Sequence, residues 1–215
     1  MKRRTSKPKP RPQLDASRIA AAALAMADEN GLEGLSFRNL AKVFGCEAMS
    51  LYHYFPSKAH LYDAMVNICL SEMQWPAEHA AWPAKLRQIA HEYRAMALRH
   101  PGFFQFMSIY RMNSKEGLTS LDRILRILEE TGLPVEVRAR YFRVIGYYLT
   151  GACLDEALGY AKGPSSADPV PAEEARALYP AIMSVGPYFA KEHHKTTFTL
   201  GLDLLIENLV REAKR

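Results

Sequence analysis

Between residues 47 and 58 the chain places a carboxylate, a hydroxyl, a phenol, an imidazole and an ammonium group within twelve positions: Glu47, Ser50, Tyr52, His53 and Lys58. The small Ala48 and the apolar, unbranched Met49 sit among them. Such a set suits non-covalent recognition. Glu47 can accept from an exocyclic amine, Ser50 can donate or accept, and Tyr52, His53 and Lys58 can meet anionic oxygens. Patterns that would point to catalysis are missing from the sequence. There is no G-x-S-x-G, H-E-x-x-H, P-loop or dinucleotide glycine pattern. His193 and His194 are adjacent and cannot both face one site on a helix, while Glu129-Glu130 and Glu173-Glu174 read as solvated faces or helix-start charges. His100 has no second histidine at a useful spacing, so no metal and no cofactor is expected. Cys46, Cys69 and Cys153 are odd in number and far apart, which argues for reduced thiols in a cytoplasmic protein.

The elements that must position these groups are helices. Asp15 is a suitable N-cap for SRIAAAALAMADEN, whose Ile19, Ala23, Met26 and Ala27 share a face before Gly31 stops it. Ser36 caps a second short helix, FRNLAKVF, ended by Gly45. A third segment, EAMSLYHYF, runs to Pro56, and Ser57 caps a fourth, KAHLYDAMVNICLSEM. Two short helices joined tightly through a glycine, with Leu40, Ala41, Val43, Leu51 and Phe55 as apolar positions, meet the requirements of a helix-turn-helix between Asp15 and Phe55. Its second helix is small or polar on the outside and fits a major groove about 12 Å wide.

Beyond Pro76 the helices lengthen. Leu86, Ile89, Tyr93 and Met96 repeat until His100-Pro101, and a short aromatic helix, PGFFQFMSIYRM, follows. Leu118 to Leu128 define an amphipathic helix that stops at Gly132, and a longer one runs from Pro134 to about Tyr160. Residues 161–172 read as a loop, and two helices split near Gly186-Pro187 or at KEHHK close the chain. No strand is expected. The fold class is all-α: an N-terminal three-helix head joined to a larger helical ligand-binding and dimerisation bundle, divided as 1–13, 14–75 and 76–215. No run approaches the roughly eighteen apolar residues of a membrane span, and no secretory h-region follows the N-terminal charges.

The formal charge of +5 is unevenly spread. Lys2, Arg3, Arg4, Lys7, Lys9 and Arg11 give the first twelve residues +6 with no acid, and the remainder holds 22 basic and 23 acidic side chains. A Pro-rich basic arm of this kind suits a polyanion, because neutralised phosphates release condensed counterions. The plainer alternative is a solvated terminus.

From Leu14 to about Met65 the sequence resembles the DNA-binding head of the TetR family of bacterial one-component repressors. The resemblance is carried by G-L-E-G-L-S-F-R-N-L-A at 31–41, Gly45, L-Y-H-Y-F at 51–55, Lys58, Leu61 and Ala64. R-P-Q-L-D-A-S-R-I and Glu47 are similar to the subgroup of the tetracycline repressor itself, and Cys46 departs from the usual β-branched residue. The resemblance implies that Glu47, Ala48, Met49 and Ser50 face base edges. It implies that Tyr52, His53 and Lys58 meet phosphates, with further phosphate contacts from Ser36 and Arg38 and a minor-groove path for the arm. A competing assignment makes Tyr52 and His53 packing residues of the head.

The family pattern also implies a homodimer reading a palindromic double-stranded DNA operator. Phe198, Leu202, Leu205 and Leu209 step by 4, 3 and 4 along the last helix, and Tyr141, Ile145, Tyr148 and Ala152 do the same from 134 onward. These stripes are the expected four-helix dimer interface, or else core within one chain. A concentration of aromatic and sulfur side chains suits a pocket for a small hydrophobic or aromatic effector. Tyr93, Phe103, Phe104, Met107, Tyr110, Tyr147 and Tyr148 are its expected lining. A cavity beneath Phe104 and Tyr147 would favour such an effector, and solid packing there would favour a protein partner. A helical enzyme is the remaining alternative.

Overall fold

The computed structural model describes residues 14–159 and 167–215. The basic arm at 1–13 and the first part of the expected loop, 161–166, lie outside the described residues. Within them the chain is helical, with no strand. α1 (Ala16–Gly34) starts where the Asp15 carboxylate accepts the Arg18 N–H at 2.9 Å. Gly31 leaves the helical region at φ 68°, ψ 173°, so the regular helix breaks at that glycine before a last turn to Gly34.

α2 (Phe37–Phe44) is capped by the Ser36 hydroxyl, which accepts from the Asn39 N–H at 3.1 Å. It ends at Gly45, whose left-handed φ of 61° lets its N–H reach back to the Ala41 and Lys42 carbonyls. α3 (Ala48–Tyr52) and α4 (Lys58–Ser71) complete the head. Ile19, Ala23, Leu40, Leu51, Leu61 and Met65 form its interior.

The body contains α5 (Trp82–Arg99), α6 (Pro101–Met107), α7 (Lys115–Glu129), α8 (Val135–Leu158), α9 (Ala172–Leu178), α10 (Pro180–Val185) and α11 (His194–Ala213). Two 3₁₀ turns, Gly186–Phe189 and Lys191–His193, precede α11. The stretch expected to hold one helix before Gly186 holds two, because Pro180 lacks the N–H and disfavours a helical Tyr179 before it.

Head and body share one continuous core. At their junction α6 lies on α1 so closely that a Cβ added to Gly102 would stand 2.3 Å from the Ala27 carbonyl oxygen. The His100 ring bridges Asp28 Oδ2 (2.7 Å) and Glu72 Oε2 (3.0 Å), and the Phe103 N–H donates to Asp28 Oδ1 at 3.2 Å. Burial alone would raise the Glu72 carboxyl, but hydrogen bonds from His100 and Arg99 outweigh it and hold the group below its ordinary value. Tyr110 adds a further tie, donating to Asp63 of α4 at 3.0 Å.

Candidate nucleic-acid interface and ligand cavity

Local capping fixes the angle between α2 and α3, and Leu51 anchors α3 by full burial. What remains outward on and around α3 is Glu47, Met49, Tyr52 and His53, all exposed, with Ala48 and Ser50 half-buried beside them. Met49 is 70% exposed, a large apolar group facing out from a helix of five residues. The Tyr52 ring packs on Phe37 with centroids 4.5 Å apart yet stays 43% exposed, so it serves the head's packing while offering its outer edge. Lys58, at the first turn of α4, donates to the Leu35 carbonyl at 3.2 Å and thereby caps the end of α1. Arg38 is exposed on α2, and Ser36 is half-buried in its cap.

The body encloses a cavity of about 230 Å³. The end of the head contributes Leu70, Met73 and Trp75; α5 contributes Leu86, Ile89, Ala90 and Tyr93. Met107, Met112, Leu121, Ile124 and Leu128 form another side, and Phe142, Ile145, Gly146 and Leu149 of α8 close it. Ser120, Thr150 and the Tyr93 hydroxyl are the few polar groups on this wall. Burial pushes the Tyr93 phenol up to about 12, against a lowering hydrogen bond with Thr150, so it stays a neutral donor at physiological pH.

Of the expected lining residues, Tyr93 and Met107 face the cavity. Phe103 and Phe104 are 0% and 1% exposed and fill the core instead, with Phe104 edge-on behind Tyr93 at 5.4 Å. Tyr110 stacks on Phe106 at the junction, and Tyr147 is 67% exposed on the outer face of α8. Tyr148 donates to the Phe198 carbonyl at 2.7 Å, and its ring occupies the space that a Cβ on Gly201 would need. It staples α8 to α11. The hollow therefore lies against Tyr93, displaced from the expected position beneath Phe104 and Tyr147. Composition missed its mostly aliphatic and methionine wall.

Most of the expected interface stripe is core within the single chain. Phe198, Leu202 and Leu209 are 3%, 1% and 0% exposed in the single chain, turned against α5 and α8. Leu205 is half-buried, Ile145 lines the cavity, and Tyr141 donates to Glu212 at 2.6 Å while accepting from Asn208. The outward stripe is a different one. Leu200 and Leu204 are 62% and 61% exposed on α11 and share a surface groove with Tyr148 and Ala152 of α8, on which Val144 and Tyr147 are also exposed.

A tight two-helix unit on a hollow helical body has the architecture of a helix-turn-helix transcriptional regulator. Comparison with known proteins makes this specific. Residues 19–65 match the family described as bacterial regulatory proteins, tetR family, and residues 75–212 match the tetracyclin repressor-like C-terminal domain. The chain belongs to the TetR family of DNA-binding transcriptional regulators. It is 33% identical over 149 residues to the HTH-type transcriptional repressor DrrR1 of Streptomyces coeruleorubidus, a match covering 66% of this chain and 54% of that one. Class A tetracycline repressor from transposon 1721 in Escherichia coli is 25% identical over 202 residues, 93% of this chain and 92% of the repressor. Among solved structures, ActR from Streptomyces coelicolor in complex with actinorhodin superposes with a TM-score of 0.73 at 23% identity, covering 95% of this chain and 100% of ActR. A minocycline-bound TetR variant from Acinetobacter baumannii gives 0.71 at 22% identity, over 94% and 99%. Among the described residues no helix is long and apolar enough to cross a membrane.

Proposed function

We propose that the chain is a repressor that holds a palindromic operator as a homodimer and releases it when a small, largely apolar molecule fills the body cavity. The observation that carries this reading is shared structure: the end of α4 and the residues just after it, Leu70, Met73 and Trp75, wall the cavity, while the first residue of α4 is Lys58. α6 makes a second link, with Met107 on the cavity wall and Gly102 against α1. A molecule that fits the cavity better in one setting of these helices shifts the heads toward that setting by its differential affinity. The wall suits a flat aromatic ligand with one or two polar groups meeting Tyr93, Thr150 or Ser120. The actinorhodin and minocycline complexes of similarly folded proteins support a small-molecule signal.

In the homodimer, Glu47, Ala48, Met49 and Ser50 read base edges, and Ser36, Arg38, Tyr52, His53 and Lys58 meet phosphates. Leu200 and Leu204 with Val144 and Tyr147 are the surface for the second copy, as exposed apolar stripes on two adjacent helices. The segment from α9 to the first 3₁₀ turn offers further apolar surface: Leu178, Ile182, Val185 and Tyr188 are exposed, and α9 and α10 bury none of their residues.

The test is a titration of the protein on DNA taken from upstream of its own coding sequence, at two salt concentrations, with aromatic compounds added. Release by one compound, lost in an Ala90→Trp variant that still binds the DNA, is the expected result. Release that the filled cavity leaves intact would remove the cavity from the mechanism.

A further inference from the structure

The charged side chains of the body stop short of its cavity. On α5, Leu86, Ile89, Ala90 and Tyr93 recur at helical spacing and lay one charge-free stripe along the lining. Cations on the same helix fall on other faces and are matched there, Lys85 by Glu130 at 2.7 Å, Arg87 by Asp203 at 2.7 Å and Arg94 by Glu156. The cavity-facing positions of α7 and α8 are uncharged as well, and Arg138 of α8 pairs with Glu129 at 3.0 Å, away from the lining. Arg123 comes within 4.1 Å of the Trp75 ring centroid without itself reaching the lining. Among the described residues, Tyr93 is the one titratable side chain on this wall, and burial keeps its phenol neutral.

A charge moved from water into such a space loses its hydration and meets no opposite charge. The hydroxyls of Tyr93, Thr150 and Ser120 can hydrogen-bond a carbonyl, an ether or another hydroxyl. Neutral dipoles of this kind do not replace a counter-ion. An ionisable molecule therefore enters by giving up its charge, an acid by taking a proton and an amine by losing one. Size narrows the class further. An apolar cavity of about 150 Å³ takes up benzene. On that scale a volume of about 230 Å³ admits roughly two fused rings with a short substituent.

We propose that the cavity selects its ligand by charge state: it takes an uncharged bicyclic aromatic molecule bearing a carbonyl or hydroxyl group, and admits an ionisable analogue only in its neutral form. This rests on the reading of the cavity as the effector site. Binding is then linked to the protonation of the ligand, since the wall does not titrate with it. For a carboxylic acid, affinity falls about tenfold with each pH unit above the acid's own pKa. For an amine the dependence has the opposite sign.

The experiment is calorimetric titration of the full chain with three naphthalene probes of similar shape. 2-Acetonaphthone is always neutral, 2-naphthoic acid titrates, and 2-naphthyltrimethylammonium is always a cation. The range runs from about pH 5 to pH 8, above the ordinary carboxyl value. The ketone is expected to bind with one constant throughout, the acid to weaken about tenfold per pH unit, and the cation not to bind. Ala90→Trp, with its fold checked by circular dichroism, is expected to abolish uptake of the ketone. Ser120→Lys places a counter-charge on the wall and is expected to strengthen binding of the naphthoate anion at least ~10-fold. An acid whose affinity ignores pH, or a cation that binds as well as the ketone, would overturn selection by charge. Naphthoate binding that a folded Ser120→Lys protein leaves unchanged would overturn its physical cause. A ketone that does not bind, or that binds Ala90→Trp equally, would overturn the ligand class. A ketone that fills the cavity yet leaves upstream DNA bound would instead overturn the effector reading beneath the proposal, with the charge rule intact.

Discussion

Replacing Gly102 with alanine places a methyl group where α6 meets α1. The added Cβ would stand 2.3 Å from the Ala27 carbonyl oxygen, 2.7 Å from Asp28 Cα and 2.8 Å from the Asp28 oxygen. All three are backbone atoms, so no side chain can swing aside. Restoring ordinary contact requires the helices to part by about 1 Å. That strains the hydrogen bonds from the Phe103 N–H and the His100 ring to Asp28. Overpacking of this kind costs about 1–3 kcal/mol, whereas glycine to alanine in an unobstructed helix gains up to about 1 kcal/mol. The sign is therefore diagnostic. Thermal unfolding of Gly102→Ala is expected to drop by roughly 2–10 °C. Gly146→Ala, where an added Cβ meets nothing within 4 Å, is expected to raise it. Operator affinity should fall in Gly102→Ala, since α1 packs directly on α2 and α4. A Gly102→Ala protein as stable as Gly146→Ala would refute the close approach of α6 to α1 and the coupling built on it.

Leu200→Glu with Leu204→Glu should change protomer stability by no more than about 0.5 kcal/mol per site, yet shift sedimentation to the monomer. A dimer that survives both moves the interface elsewhere. Ser50→Ala should alter which operator is preferred without altering the salt slope, and an unchanged preference takes Ser50 out of base readout. Lys58→Ala should lower the slope by about 1 per protomer and cost about 1 kcal/mol through the lost Leu35 contact; a slope equal to that of the parent protein removes its phosphate role. Burial, with a neighbouring carboxylate, pushes the Cys69 and Cys153 thiols from 9.0 up to about 12. A raised thiol keeps its proton in the fold after the unfolded chain has lost it. Denaturant midpoints should thus hold steady below pH 9 and fall between about 9 and 12, a fall that Cys69→Ala should reduce.

The parts of the fold written in neighbouring residues were legible from the sequence. Ser36 and Gly45 bracket FRNLAKVF, and α2 begins and ends where those two place it, because both caps act within four residues. Pro180 was equally visible but lay inside a stretch assumed to be continuous, and its break passed unnoticed. α11 illustrates a harder limit. It carries two apolar stripes, one through Phe198, Leu202 and Leu209 and one through Leu200 and Leu204. Periodicity identifies both but does not say which turns inward, since that depends on helices far away in sequence. The cavity has the same difficulty. Phe103 and Phe104 look like lining by type, yet large rings are also the best fillers, and they became core. What was left open was walled chiefly by leucine, isoleucine and methionine, whose sequence spacing matches that of any packed helix.

A hole of 230 Å³ has a mechanical meaning of its own. In a core emptied by truncation the fold loses about 24 cal/mol per Å³ of residual cavity, so a molecule that fills even part of such a volume adds contacts worth on the order of a few kcal/mol. An ordinary domain is stable by only about 5–15 kcal/mol. On the proposed function, the molecule that releases DNA would therefore also harden the protein against heat and proteolysis. Sensing and turnover would then depend on the same volume.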